Sequence, residues 1–275
     1  MLKAINQWCY PAGMSLEKVF EYSWDAGFDA VELNLNPKGD AGLTPDTTEK
    51  EAKEIVELAS EYHLQLKGMS TALLWKYPLS SPKEEVREEG RSIVKKMIAL
   101  SETMELDTIL VVPGLVNEAV TYTDCYERSQ EELKKLIPIA ENYHIHIGIE
   151  NVWNKFLLSP LEMARYIDEL DSAYVGAYFD VGNVLQFGYP EQWIRILGDR
   201  IKKIHVKDFS TSIGNMNGFR PLLSGDVNWR GVFTALKEIG YDDAITAELS
   251  PYAIDPSALA KDTSNHMDIL FRSVQ

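Results

Sequence analysis

His144-Ile145-His146-Ile147-Gly148-Ile149-Glu150, or HIHIGIE, is the stretch on which the reading of this chain turns. Side chains alternate faces along a β-strand. Ile145, Ile147 and Ile149 therefore share one face, fit to pack beneath helices, while His146, Gly148 and Glu150 share the other. A strand that is apolar outward and ends inward on a carboxylate suits a closed parallel barrel. In such barrels the functional side chains stand at the C-terminal ends of the strands.

Three further stretches end the same way. VGAYFD closes on Asp180, RIKKIH on His205 and DAITAE on Glu248. The four end residues are separated by 30, 25 and 43 positions, which is the reach of parallel strands joined by helical crossovers, not of hairpins. The same parity groups Tyr178 with Asp180, Lys203 with His205 and Lys207, and Thr246 with Glu248 and Ser250. Three carboxylates and one imidazole form a donor set for a hard-to-borderline divalent cation. A carboxylate in a barrel mouth is costly unless it is paired or bound to metal. Glu150, Asp180, His205 and Glu248 are therefore the candidate metal ligands.

Working outward, short apolar runs at 2–8, 30–33, 64–69, 108–112, 145–150, 175–180, 201–207 and 244–248 alternate with amphipathic stretches. SLEKVFEYSWDAG, for example, opens on Ser15 as an N-cap and stops at Gly27. Eight strands, each followed by a helix, predict an α/β fold of the (β/α)8 TIM-barrel type. No GxGxxG follows the first strand, which argues against a doubly wound sheet. No composition shift divides the chain, so 1–275 reads as a single domain. Segments 34–47 and 209–227 are longer than simple connections, follow strands, and are expected at the functional rim as a cover.

The formal net charge is −15. That balance argues against nucleic acid as a partner, because phosphate backbones need a basic surface. Cys9 and Cys125 lie in unrelated contexts and suit a reducing, cytoplasmic setting. No run of about 18 apolar residues suggests a membrane span.

A divalent ion polarises a carbonyl and its neighbouring hydroxyl and lowers the cost of an enediolate. Two glutamates on opposite sides of a substrate can take a proton from carbon and return one, either to the other face, as in ketose 3-epimerisation, or to the neighbouring carbon, as in aldose-ketose isomerisation. Glu150 and Glu248 are the pair available for that work. Trp8, Trp75 and Trp153 fall at or after strand ends, where flat rings stack on sugar faces. Glu32, followed by Asn34, closes the second strand and is expected at the mouth. Lys207 and Asp208 are placed either to orient His205 or to form a simple loop ion pair, and Lys207, with Lys155 and Arg220, is also a candidate to bind a substrate phosphate. His146 shares the inward face of Glu150 but lies deeper, as a core histidine would.

The segments IEN at Glu150, YFDVGN at Asp180, HVKD at His205 and AEL at Glu248 together resemble the sugar-phosphate isomerase/epimerase superfamily of xylose-isomerase-like TIM barrels. The order Glu, Asp, His, Glu is similar to that of the ketose 3-epimerase, L-xylulose-5-phosphate 3-epimerase and hydroxypyruvate isomerase groups. The resemblance implies a metal-dependent isomerase or epimerase acting on a small-molecule carbohydrate. It also implies one bound Mn2+, Co2+ or Mg2+, with Zn2+ a further choice, and a homodimer or homotetramer. Glu150 and Glu248 would be both ligands and acid/base groups. GFRPLLSGDVNW is similar to the loop before helix 7 in these enzymes and makes Arg220 a contact for an oxyanion or phosphate. Where free-sugar ketose 3-epimerases carry a substrate-binding histidine, three residues past the metal aspartate, this chain has Asn183. Their further glutamate after the strand-5 ligand has no counterpart in NVWNKF. Three alternatives share the fold: an inosose-type dehydratase, an AP-type endonuclease and a non-catalytic carbohydrate-binding barrel. The endonuclease would need more than the 5 histidines present, and a basic groove.

Overall fold

Eight parallel strands close on themselves in a computed structural model that describes residues 1–273. They are β1 (Leu2–Asn6), β2 (Ala30–Asn34), β3 (Gln65–Ser70), β4 (Thr108–Val111), β5 (His146–Glu150), β6 (Val175–Asp180), β7 (Ile201–Val206) and β8 (Ala244–Ala247). Sequence neighbours pair around the ring and β8 pairs with β1, so no edge is left open. The expected (β/α)8 barrel is the fold observed, and the strand ends differ from the sequence reading by only a residue or two. The largest difference is in the first strand, where Gln7–Cys9 turn into a 3-10 helix capped by the Asn6 side chain.

The helices between the strands begin where the sequence supplies caps. Thr48 and Glu51 form a reciprocal capping box at Glu49–Glu61, and Thr121 and Ser159 cap the helices that precede and follow β5. The helix Tyr122–Tyr143 ends on His144 in the left-handed conformation, at φ 57°. That reversal aims HIHIGIE into the barrel wall. Ile147 and Ile149 are fully buried in the layer between strands and helices, where such apolar burial drives folding. Among the described residues, no helix is long and apolar enough to cross a membrane.

Register fixes which strand ends meet. Asp180 is directly paired with His205, His205 with Thr246, and Glu150 with Tyr178. Two short helices that the sequence reading did not include, Leu73–Lys76 and Val181–Val184, follow β3 and β6 at the rim. Segment 209–227 folds back so that Asp208–Phe209 pair antiparallel with Phe219–Arg220.

Candidate metal centre

The four strand-end residues converge. One donor atom from each of Glu150, Asp180, His205 and Glu248 lies within 4.8 Å of all the others. Asp180 and His205 are fully buried, and Glu150 is nearly so. Asp180 Oδ1 accepts from the backbone N–H of Asn183 at 2.7 Å. Asn151 locks the end of β6 from both sides: its Nδ2 donates to the Asp180 carbonyl at 2.8 Å and its Oδ1 accepts from the Asp180 N–H at 2.8 Å.

One buried atom in the cluster has no partner, His205 Nδ1, and Asp180 Oδ2 meets only the Lys207 ammonium, in an ion pair. The nearest carboxylate oxygens to Nδ1 are Glu248 Oε2 at 3.6 Å and Glu150 Oε1 at 4.0 Å, both too long for a bond. Buried polar atoms without partners are rare and call for an explanation. Here Nδ1 faces the other members of a donor set suited to a divalent ion. The residues therefore fit a metal, with His205 offering Nδ1.

The other ring nitrogen explains that orientation. His205 Nε2 sits 2.9 and 3.0 Å from the two oxygens of Glu32. Glu32 is itself fully buried and accepts from Asn6 Nδ2 at 2.6 Å and from the hydroxyls of Ser70 and Tyr178. A carboxylate behind a ligating histidine fixes the tautomer and raises the basicity of the ligating nitrogen. Glu32 was expected at the mouth, either supporting a ligand or contacting substrate; the structure places it beneath the imidazole, off the cavity wall. Gly148 of HIHIGIE contributes here, because a Cβ at that position would lie 2.8 Å from the Tyr178 ring.

Lys207 and Asp208 do not orient His205. Lys207 Nζ lies 3.0 Å from Asp180 Oδ2 and bonds Glu248 Oε2. Asp208 closes the base of the long rim segment. It accepts from the N–H groups of Phe209 and Val227 at 2.9 and 3.1 Å, and from Trp229 Nε1 at 3.0 Å. His146 is away from the site, stacked on Tyr174 at 5.1 Å.

Charge and burial split the two glutamates. Burial, and then the charge of Glu248, push the Glu150 carboxyl up to about 8. Burial acts in the same direction on Glu248, but Lys207 and His205 outweigh it and hold that carboxyl well below the usual range. His205 is shifted well above an ordinary imidazole, because Glu32 and Glu248 outweigh its desolvation. Paired titratable groups driven apart in this way are a mark of acid/base sites.

A cavity of about 650 Å³ opens over the cluster. Glu150, Glu248, Asn183, Lys207 and Arg220 lie on its wall, with Trp8, Trp75 and Trp153 among its aromatic faces. Trp153 is held by the hydrogen bond from its Nε1 to the Asn183 carbonyl at 2.7 Å. Its ring also packs against Phe209 and Phe219 at 5.4 and 5.3 Å, which ties the rim segment to the site. Arg220 donates from Nη1 to the carbonyls of Asn217 and Phe219, and no carboxylate among the described residues pairs with it. The sequence reading missed Asn151, Ser70 and Phe219. Asn151 stood inside the IEN motif, and Ser70 closes β3 with the same parity as the other ends.

A family model described as xylose isomerase-like TIM barrel matches residues 20–270. L-ribulose-5-phosphate 3-epimerase UlaE of Escherichia coli (strain SMS-3-5 / SECEC) is 24% identical over 250 residues, covering 90% of this chain and 87% of that protein. Uncharacterized protein MJ1311 of Methanocaldococcus jannaschii is 26% identical over 242 residues, covering 85% of this chain and 78% of the other. The crystal structure of a D-psicose 3-epimerase in the presence of D-fructose superposes with a TM-score of 0.82 at 16% identity, covering 100% of this chain and 99% of that one.

Proposed function

The chain belongs to the xylose isomerase-like TIM barrel family, and on that footing we propose that it is a divalent-metal-dependent 3-epimerase of a ketose or ketose phosphate. The observation that carries this reading is the pairing of Glu150 and Glu248, on β5 and just past β8, in one cluster with Asp180 and His205. The likeness to an L-ribulose-5-phosphate 3-epimerase supports the reaction class.

Glu150, Asp180, His205 and Glu248 would hold the ion, which supplies polarisation of the substrate carbonyl and adjacent hydroxyl. The chain's own residues do the rest. Glu248, kept ionised beside Lys207 and His205, takes the proton from the carbon next to the carbonyl. Glu150, the second carboxyl of the cluster, takes up a proton through the open cavity and returns it from the other side. Donors on two sides invert the centre. Trp8 and Trp153 supply flat faces for the sugar and exclude water from the exchanging proton. Arg220 is the wall cation free to meet an anion, and a phosphate at the far end of the ketose gives it a fork-shaped partner. Asn183 has its Nδ2 committed to the Asn151 carbonyl at 3.0 Å. It therefore offers substrate a carbonyl oxygen where free-sugar epimerases offer an imidazole.

The test is incubation with Mn2+ and a panel of ketoses and ketose phosphates in D2O. Deuterium entering at one carbon beside the carbonyl, with a second epimer appearing, is the expected result. No exchange across the panel would overturn the proposal. Loss of hydroxide to give an ultraviolet-absorbing dione would move the reaction to the dehydratases.

A further inference from the structure

Lys207 brings to the cluster a fixed charge of the same sign as a metal, on a side chain that is not itself a candidate ligand. Its Nζ is 3.0 Å from Asp180 Oδ2 and bonds Glu248 Oε2, so it touches two of the four candidate ligands. Its side chain is only 12% exposed. The position is built into the fold. A Cβ at Gly182, in the turn after β6, would meet Lys207 Cγ at 2.6 Å and the Lys207 carbonyl oxygen at 2.7 Å. Only glycine lets the YFDVGN turn come down onto the HVKD strand end and seat the lysine stem between them. The ammonium also stands 5.1 Å over the Phe219 ring, one residue from Arg220 on the folded-back rim segment.

Three carboxylates crowded within a few ångströms repel one another, and a buried carboxylate without a counter-charge is costly. An ammonium touching two of them relieves that repulsion without a metal. A divalent cation arriving among the same oxygens is a like charge at close range, and must compete with the ammonium for Glu248 and Asp180. The lysine side chain is a compact charge on a flexible stem, so it can yield where a fixed guanidinium fork could not.

We propose that Lys207 is an internal counter-ion of the metal site: it holds the carboxylates together in the metal-free chain and competes with the incoming divalent cation. Its contact with Phe219 then links loading of the site to the segment that covers it. This inference rests on the metal reading above and adds a device that sets how tightly the ion is held.

The experiment is calorimetric titration of Mn2+ into the metal-free full chain, together with thermal melting with and without Mn2+, for the native protein, Lys207→Met and Lys207→Arg. Lys207→Met should melt several degrees lower without metal, yet bind Mn2+ on the order of ten- to a hundredfold more tightly. With saturating Mn2+ its melting should return to the native value. Lys207→Arg, which keeps the charge on a group that yields less readily, should show no gain in affinity. Should Lys207→Met fail to fold, Lys207→Gln, which still donates hydrogen bonds to the carboxylates, carries the same test. A merely structural lysine would give equal destabilisation with and without metal and no gain in affinity, and that result would overturn the inference. If the native chain binds Mn2+ and the neutral variants bind it no more tightly, only this inference falls. If neither native nor variant binds Mn2+, the metal reading falls with it.

Discussion

Loading the site with metal should expel protons, and their number follows from the structure. Ligation needs an ionised carboxylate and a free imidazole nitrogen. In the metal-free site Glu150 is pushed up to about 8 by burial and by the charge of Glu248, so at pH 7 it carries a proton in about nine molecules of ten. His205 is shifted upward from the ordinary imidazole range because Glu32 and Glu248 outweigh desolvation, so ring protonation opposes ligation in the same direction. Binding Mn2+ at pH 7 should therefore release at least about one proton, and the apparent affinity should climb at least about tenfold per pH unit between pH 6 and 7. The climb should ease above pH 8, where Glu150 ionises unaided. The assay is titration calorimetry in a series of buffers of different ionisation enthalpy, where the slope of observed against buffer enthalpy counts the protons. The same shifts set the stability of the metal-free chain. Both groups hold protons more tightly folded than unfolded, so each loses stabilisation, or gains a penalty, as pH rises from about 5 through 8. Metal-free melting should fall across that window, and saturating Mn2+ should remove the fall. A slope near zero at pH 7, with Mn2+ still binding, would refute the charge distribution argued for the cluster.

The remaining expectations concern single side chains. Glu150→Gln and Glu248→Gln should each lower turnover by about 10²–10⁴-fold, checked by deuterium exchange from D2O as well as by product formation. Glu32→Gln, titrated with Mn2+ at pH 8.5 where ring protonation competes least, should weaken metal affinity on the order of 10–100-fold, the usual cost of losing a carboxylate behind a ligating histidine. Arg220→Ala should raise the KM for a ketose phosphate at least about tenfold while leaving that of the unphosphorylated ketose nearly unchanged; equal effects on both would place Arg220 in the rim fold only.

Which of these residues could be read from the sequence follows from how many strands a contact crosses. Glu150, Asp180, His205 and Glu248 were legible because strand alternation sets direction and position along the chain sets height. In a closed barrel those two facts suffice to bring strand ends together, as the direct pairing of Asp180 with His205 shows. Glu32 had the right direction but was misjudged in depth. The ladder between β2 and β3 shifts register between Val31 and Leu33, and Gly68 opposite takes a φ of +93°. That irregularity cannot be read from apolar alternation, and with it goes the height of the Glu32 carboxylate relative to β7. Asp208 was misplaced for a different reason. Its partners Val227 and Trp229 lie across a fold-back segment, and such closures depend on backbone hydrogen bonds that leave no periodic signature. Lys207 combines both cases. Parity pointed it inward, but its distance from Asp180 depends on how closely the turn at Gly182 approaches, which a sequence reports only as one glycine. The candidate ligands of this site are thus written in the strand pattern, whereas the groups that set their charge are written in close approaches between strands, and the proposed competition between Lys207 and a metal can be argued only once those approaches are known.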